Sequence, residues 1–351
     1  MADKNYPKIT FGMIVLNGEP FLRYNLRALY PFAHQIIVVE GACPSAKDIA
    51  TTDGHSMDAT RDILRQFKKE EDPEDKLVIV TAEEEGYPNG FWSEKDEMSQ
   101  AYARRATGNY LWQVDIDEFY LEKDMEKIIS ILIKGVDMIS FPQISFWGAI
   151  DYVVDGFWLI AHRHSNYERI FAWGEGYRYL KHRPPTVIDA SGKDLRLRRY
   201  VNVKQMKCYE IFLYHYSLLF PKQVEEKVSY YSAVNWTNVQ KKAVYWFNNC
   251  YLVLRHPFHL HNVYPYLSWI KRYEGKHPAQ IYKMMQDISN GAVNVSLRQN
   301  EDVECLLRNP FYITLSWMLE KWAYFLAAPL INKIYYYSRA FFQKLSKFFK
   351  K

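Results

Sequence analysis

The sequence has few cysteines, and they follow no recognisable pattern. Only four occur in 351 residues, Cys43, Cys208, Cys250 and Cys305, and they lie far apart. This spacing lacks the close pairs of a structural zinc site and the density of a disulfide framework. The chain also shows no signal-peptide pattern before its first apolar run. We therefore expect a reducing, cytoplasmic compartment.

Glycine-rich phosphate-binding loops are absent as well. The first apolar run, residues 9–16, is followed by Asn17-Gly18-Glu19-Pro20 rather than by Gly-x-Gly-x-x-Gly, and the chain has no Gly-Lys-Ser/Thr loop. These absences exclude the usual dinucleotide-binding and P-loop classes. They also count against a nucleotidyltransferase, the main rival enzyme class, which normally needs a basic glycine-rich loop after its first strand.

Acidic residues are missing from the C-terminal end. From Lys321 onward the chain has seven basic residues and no acidic one, whereas the preceding residues are nearly balanced, with 38 basic and 40 acidic. A nucleic-acid-binding body would carry its own basic face, so we expect no nucleic acid partner.

The C-terminal segment also lacks an uninterrupted apolar run. Residues 311–330 are largely apolar, but Glu320 and Lys321 interrupt them and disfavour a spanning helix. Residues 331–351 alternate apolar and basic positions, which predicts an amphipathic helix on an anionic membrane surface, at the inner face of a membrane. The alternative is a C-terminal helix that packs on the protein's own core.

Apolar runs and helical patterns alternate through the first third of the chain. The runs at 9–16, 35–40, 77–81 and 110–114 predict strands, and residues 21–30, 61–67 and 92–105 predict the helices between them. Such short crossovers predict an α/β fold with a mainly parallel sheet and helices on both faces. Further along, we predict a helix at 121–134 and one strand at 137–146.

Two carboxylates follow the run at 110–114, in the sequence Asp115-Ile116-Asp117-Glu118. In an extended chain Asp115 and Asp117 would share one face, and at the carboxyl end of a parallel strand they would face the ligand crevice. Two such carboxylates repel each other unless a cation lies between them. A hard divalent cation completed by phosphate oxygens fits this position. The pair therefore predicts a metal–diphosphate site, and the alternative is a solvated acidic turn.

Four segments, taken in order, resemble the nucleotide-sugar glycosyltransferases of the GT-A fold, and family 2 most. They are Asn17-Gly-Glu19, Val38-Val-Glu40, Asp53-Gly-His-Ser-Met-Asp58-Ala-Thr60 and Ala106-Thr-Gly-Asn-Tyr-Leu-Trp-Gln-Val-Asp115-Ile-Asp117-Glu118. The resemblance covers roughly residues 8–120, with weaker similarity to about 220. The chain departs from the family after its second strand, where Glu40-Gly-Ala-Cys43 replaces the usual Val-Asp-Asp-Gly-Ser and a loop is inserted.

This resemblance implies an inverting enzyme that transfers sugar from a nucleotide diphosphate sugar to a hydroxyl of a glycan or lipid-linked acceptor. It implies a Mn²⁺ or Mg²⁺ cofactor, held by Asp115 and Asp117 and further by His215. The alternative for His215 is a core histidine. The nucleotide sugar would contact Asn17, Glu19, Glu40, Asp58 and Asp115, although Asp58 also suits a helix cap. The non-enzyme alternative is a membrane-peripheral scaffold that kept the fold.

The acceptor half supplies the remaining candidates. Arg169 and Arg183 are expected to contact the diphosphate. Inversion needs a carboxylate that deprotonates the acceptor hydroxyl. Glu168 and Glu175 are the only acids between Asp155 and Asp189, and we prefer Glu175 because glycines flank it. The alternative for Glu175 is a loop salt bridge.

The domain organisation is expected to have three parts. Residues 1–235 would form the catalytic domain, with its nucleotide-sugar half at 8–120 and its acceptor half at 121–235. Residues 236–310 would form a helical extension, and residues 311–351 the hydrophobic and basic tail. In the extension, His259 and His261 could form a metal pair, but a packed loop is the preferred interpretation.

Overall fold

A computed structural model describes residues 6–160, 167–233, 240–261 and 266–327. The first 120 residues alternate strands and helices as predicted. The strands are β1 (Ile9–Val15), β2 (Gln35–Glu40), β3 (Leu77–Val80), β4 (Tyr110–Gln113) and β5 (Glu118–Phe119), and the helices are α1 (Phe21–Leu29), α2 (Thr60–Glu70) and α3 (Lys95–Arg105).

The middle of the chain is richer in strands. It contains α4 (Glu122–Ile133), β6 (Met138–Phe141), β7 (Gln143–Trp147), β8 (Ala149–Gly156), α5 (Phe157–Ile160), β9 (Tyr167–Ala172), β10 (Arg178–Lys181), β11 (Thr186–Ile188), β12 (Tyr200–Val201), α6 (Val203–Cys208) and β13 (Leu213–Leu218). The rest contains α7 (Pro221–Ala233), α8 (Gln240–Trp246), β14 (Ser268–Arg272), α9 (Ala279–Ser289), α10 (Glu301–Arg308) and α11 (Pro310–Ala327).

The central sheet has seven strands in the order β12-β6-β9-β4-β1-β2-β3. The pairs β3-β2, β2-β1, β1-β4 and β12-β6 are parallel, and β9 is antiparallel to both β4 and β6. The side chains of β1 and β2 are almost all buried, which is typical of a parallel sheet covered on both faces. The predicted α/β fold is confirmed, and it is the fold that the resemblance to GT-A enzymes implies.

Helices cover both faces of this sheet. Apolar residues of α1, α2 and α4, such as Leu26, Phe67 and Ile128, pack on one face. On the other face Met98, Ala101 and Tyr102 of α3 pack against β2 and β4. Gly12 of β1 lies against the Tyr102 ring, where a Cβ would be only 2.4 Å from a ring carbon, so only glycine admits this helix at its present distance.

A second sheet of five strands has the order β14-β8-β7-β13-β5. The single strand predicted at 137–146 is wrong, because Pro142 divides it into β6 in the central sheet and β7 in the second sheet. Proline lacks the N–H that continuous pairing needs, so the chain changes sheets at this residue. The strand β5, which directly follows Asp117, belongs to the second sheet and brings the two sheets together at the end of β4.

Residues beyond 235 are not purely helical, since β14 pairs with β8 along its length. Helix α9 packs on α1, where Tyr24 Oη lies 2.8 Å from Asp287 Oδ2. The predicted tail begins with α11, and residues 331–351 lie outside the described residues. None of the helices described here has the length and apolar character needed to cross a membrane.

Candidate active site

The two carboxylates lie where β4 ends, at the carboxyl edge of the parallel strands. The extended conformation does not continue through them, because the chain turns between Asp115 and Glu118, whose backbone N–H donates to Asp115 O at 3.0 Å. The expectation of one shared face is therefore wrong. Asp115 contacts guanidinium groups of the acceptor half, whereas Asp117 contacts β13 and α7.

Asp115 is held by two arginines. Its Oδ2 atom accepts a hydrogen bond from Arg183 Nη2 at 2.5 Å and lies 3.6 Å from Arg169 Nη2. Burial alone would raise the pKa of Asp115, but the charges of Arg183 and Arg169 outweigh it and hold the pKa well below its ordinary value. Asp115 is thus ionised at neutral pH and paired with protein cations.

Arg169 does not face the cavity as expected for a diphosphate contact. Its side chain is buried and forms two hydrogen bonds with the buried carboxylate of Glu118, one of them from Nε to Oε2 at 2.8 Å. A planar guanidinium paired in this way is fixed in orientation. Arg169 therefore reaches the site only through Asp115, and Arg183, which is half-exposed, is the arginine open to a ligand.

Asp117 lies beside His215, as the predicted metal site requires. Asp117 Oδ1 is 3.3 Å from His215 Nε2, and Oδ2 accepts a hydrogen bond from Gln223 Nε2 at 3.2 Å and lies 3.9 Å from Lys227 Nζ. The contact follows from the fold, because β13 pairs with β5 and places His215 opposite Glu118. Burial would raise the pKa of Asp117, but His215 and Lys227 lower it overall.

The donor set tests whether a divalent cation fits here. Among the residues that the structure describes, no three histidine, cysteine or acidic side chains are grouped to hold a metal. Mg²⁺ nevertheless needs only one or two protein ligands when phosphate oxygens and water complete its shell. Asp117 and His215 supply an oxygen and a nitrogen donor, and His215 Nδ1 is buried with no hydrogen-bond partner in the described part of the chain. The pair fits such a cation, whereas Asp115 is already paired with Arg183.

Within the described residues, His259 and His261 are not grouped with a third side chain that could hold a metal. His259 Nδ1 lies 3.9 Å from Cys250 Sγ, and the His261 ring stacks on Trp158 with 3.4 Å between centroids. They pack in a loop, which is the interpretation preferred from the sequence.

A cavity of about 240 Å³ opens beside Asp117. Its walls come from the end of β1, the loop after β2, α3 and α7. Two of the lining side chains are basic, Lys95 and Lys227, and the Lys95 ammonium lies 4.0 Å from the Tyr230 ring centroid. Burial lowers the pKa of Lys95. The cavity therefore has two lysine side chains together with the acidic side chains of Glu19, Asp117 and Glu226.

Glu226 also lines the cavity, and burial raises its pKa to about 7. The sequence did not single out Glu226, nor did it single out Lys95, Gln223 or Lys227. One feature of the sequence could have identified the α7 residues. Gln223, Glu226, Lys227 and Tyr230 are spaced three and four residues apart, which places them on one helix face.

Asn17 and Glu19, both predicted as nucleotide-sugar contacts, line the same cavity. The Asn17 side chain, however, donates to Ile49 O at 2.8 Å and accepts from Met57 N at 2.8 Å, so it anchors the inserted loop. Asp58 accepts from Thr60 N at 3.0 Å through Oδ1 and from Glu19 N at 2.9 Å through Oδ2. Asp58 therefore holds the start of α2, although the N-cap position itself is Ala59.

The structure does not support the expected nucleotide contact of Glu40. Its carboxylate is buried, with Oε1 accepting from Ser56 N and Ser56 Oγ at 2.8 Å each and Oε2 lying 2.7 Å from His55 Nδ1. Both oxygens are thus occupied within the protein. Glu40 fastens the inserted loop to the end of β2.

Glu175 lies at the wrong edge of the sheet to act as the base. Strand β9 runs antiparallel to β4, so Ala172 pairs with Tyr110 at the start of β4, and Trp173 N donates to Asn109 O at 2.9 Å. Glu175 follows beyond the amino end of β4, whereas Asp115 follows its carboxyl end. Nothing in the sequence of 168–177 predicts that β9 runs antiparallel to β4, and this direction places Glu175 at the opposite edge.

No protein-family model matches the chain, and no curated protein matches it either. Among solved structures, the chain is similar to residues 1–349 of TarS from S. aureus, with 11% identity and a TM-score of 0.36 over 67% of this chain and 68% of that one. A complex of TarS 1–349 with UDP has 12% identity and a TM-score of 0.31, and the match covers 84% of this chain and 68% of that one.

A further similar structure is glucosyl-3-phosphoglycerate synthase from Mycobacterium tuberculosis in complex with Mn²⁺, UDP and phosphoglyceric acid. Here the identity is 14% and the TM-score 0.28, and the match covers 40% of this chain and 43% of that one. The match thus spans less than half of that synthase. Likeness at this level carries no argument about function, which depends on the residues of this chain.

Proposed function

We propose that this protein is a GT-A glycosyltransferase that moves a sugar from a nucleotide diphosphate sugar to a hydroxyl of a glycan or lipid-linked acceptor. One observation carries the proposal. At the carboxyl edge of a parallel sheet, Asp117 and His215 stand together beside a cavity lined by Lys95 and Lys227. The motif resemblance around Asp115 and Asp117 supports the same reaction and favours inversion at the sugar.

The charge arrangement suits a diphosphate leaving group. A nucleoside diphosphate leaves with developing negative charge, which is stabilised by fixed cations near it. Lys227 lies 3.9 Å from Asp117, and Arg183 stands at the same edge, held by Asp115. A divalent cation held by Asp117 and His215 would supply further neutralisation of the phosphates when bound.

Asp115 acts in this proposal as a positioning residue. Its bond to Arg183 holds a half-exposed guanidinium at the carboxyl edge of the sheet, and Arg169, fixed by its buried pair with Glu118, lies against Asp115 in turn. The flat guanidinium of Arg183 matches the geometry of phosphate oxygens. The cavity walls also include apolar side chains such as Leu16, Ile49 and Tyr230, which suit the base of the nucleotide.

Calorimetric titration with UDP, GDP, CDP and TDP, each with and without Mn²⁺, tests the proposal. We expect one nucleotide to bind in a metal-dependent manner and Asp117→Ala to lose at least about tenfold in affinity, as for a broken charge-assisted contact. Asp62→Ala removes an exposed carboxylate on α2 and serves as the matched control. Absence of binding by every nucleotide, or equal binding by Asp117→Ala, would contradict the proposal and favour the non-catalytic scaffold.

We propose separately that the protein attaches to a membrane through residues other than those of the cavity. The predicted contact of residues 331–351 with an anionic surface lies outside the described residues. It is supported by their composition, which is basic and apolar with no acidic residue.

A further inference from the structure

Among the residues that the structure describes, one face of helix α11 packs on the protein and the other does not. Tyr312, Ser316 and Ala323 are buried and follow one side of the helix. The Tyr312 hydroxyl accepts a hydrogen bond from Ile270 N at 2.9 Å. Leu319 packs against the apolar cluster that contains Tyr312 and Ala323. The side toward β14 is therefore fixed, and the opposite side defines an outer face.

The outer face of α11 is almost entirely apolar. Its exposed large side chains include Phe311 at 74%, Trp322 at 61% and Phe325 at 63% relative exposure, together with Ile313, Trp317, Met318 and Tyr324. Soluble proteins rarely expose a contiguous apolar surface of this kind unless it contacts a partner or a membrane. The face therefore needs an occupant.

The charges on and after α11 indicate which occupant fits. The helix has two charged residues, Glu320 and Lys321, and Glu320 is paired inward with Lys271 Nζ at 2.7 Å. Lys321 remains on the outer side, with its ammonium 5.8 Å from the Trp317 ring centroid. The following residues to 351 add six basic residues and no acidic one. The outer face thus combines an apolar surface with positive charge alone.

We propose that the outer face of α11 lies in the interface of an anionic lipid bilayer. Tryptophan, tyrosine and phenylalanine are favoured at the boundary between headgroups and acyl chains, and lysine beside them meets the anionic headgroups. A helix of 18 residues lying flat presents about 27 Å of this surface. The inference is independent of glycosyl transfer, because it concerns a surface formed by other residues than the cavity.

Vesicle co-sedimentation of the full chain tests the proposal. The probes are vesicles of phosphatidylcholine alone and of phosphatidylcholine mixed with phosphatidylglycerol. We expect the unsubstituted chain to bind the mixed vesicles. The affinity of Trp317→Ser/Trp322→Ser should fall about tenfold or more, because the variant lacks two indoles that the bilayer would bury. The matched control is Leu197→Ser/Leu297→Ser, which removes two large apolar side chains exposed elsewhere and is expected to bind like the unsubstituted chain.

Several outcomes would overturn the proposal. The outer face is not the contact if the unsubstituted chain binds neither kind of vesicle. The same conclusion follows if the tryptophan variant binds as tightly as the unsubstituted chain, or if the tryptophan and leucine variants lose affinity equally. A dimer that forms without vesicles and is lost in the tryptophan variant would assign the face to a second copy instead. Thermal melting verifies that both variants fold. Nucleotide calorimetry on the same variants tests the proposed function separately, so a failure of membrane binding can be distinguished from a failure of nucleotide binding.

Discussion

Asp115 and Asp117 are separated by one residue but have different electrostatic surroundings. Asp115 forms ion pairs with the guanidinium groups of Arg169 and Arg183. Asp117 instead lies 3.3 Å from His215 Nε2 and 3.9 Å from Lys227 Nζ. A carboxylate already paired with two guanidinium groups has less to gain from a metal ion than one beside an imidazole that can itself bind the metal. The residue-level geometry therefore favours Asp117 with His215 for a cation and Asp115 for positioning Arg183.

Glu226 gives a residue-scale prediction about pH. Burial raises its pKa from the ordinary 4.5 to about 7, so between these values the folded protein keeps a proton that the unfolded chain has lost. Stability contributed by this group must therefore fall as pH rises from about 4.5 to 7. Glu226→Gln removes the ionisable group. We therefore expect the melting temperature of the variant, relative to that of the unsubstituted protein, to rise as pH increases through this window.

Melting curves at a series of pH values measure this difference. Glu126→Gln, at an exposed position on α4, is the control and should leave the pH profile unchanged. If the profiles of Glu226→Gln and the unsubstituted protein run parallel, the carboxyl group is not protonated in the folded state at neutral pH.

At the scale of elements, the inserted loop between β2 and α2 is held by buried polar contacts. Glu40 accepts from Ser56 and contacts His55, while His55 Nε2 lies 2.9 Å from Glu83 Oε1. The loop then forms one wall of the cavity through Ala42, Cys43 and Ile49. The cavity wall thus depends on a carboxylate that does not itself face the cavity.

Glu40→Leu is expected to destabilise the fold by about 1–3 kcal/mol for each buried donor it leaves unpaired. Denaturant unfolding measures the loss, and Glu126→Leu, an exposed position on α4, is the control. Nucleotide affinity should fall in the same variant, because the loop wall loosens. A Glu40→Leu protein with unchanged stability would show that the loop is held mainly by its backbone contacts.

Elements also show where the sequence sufficed and where it did not. Apolar runs predicted β1 to β4, because parallel strands buried on both faces leave that pattern. The direction of β9 has no such pattern in the sequence. Glu175 was preferred for its flanking glycines, but it follows a strand that ends at the opposite edge of the sheet. Pro142 is visible in the sequence, but nothing local shows that the chain changes sheets there. The cavity face of α7 was missed because charged residues on a helix ordinarily indicate solvent.

At the scale of the whole molecule, the parts predicted as separate are packed together. Phe21 and Tyr24 of α1 lie in one apolar cluster with Ile281 and Met284 of α9, and β14 completes the sheet of β8. We therefore expect a chain cut after residue 235 to lose cooperative melting and to aggregate, because it exposes this cluster and the edge of β8. A soluble fragment with a cooperative transition would instead support an independent domain ending there.

The tail gives the last prediction at this scale. Deleting residues 331–351 removes six basic residues, each contributing about 1 kcal/mol near an anionic membrane surface. We expect affinity for phosphatidylglycerol-containing vesicles to fall at least about tenfold at low salt, with a smaller loss at high salt, because screening already weakens the charge contribution. The outer face of α11 remains in this variant, so residual binding should become less salt-dependent rather than vanish. Unchanged binding and salt dependence after the deletion would show that the tail does not contact the membrane, and would leave α11 as the attachment.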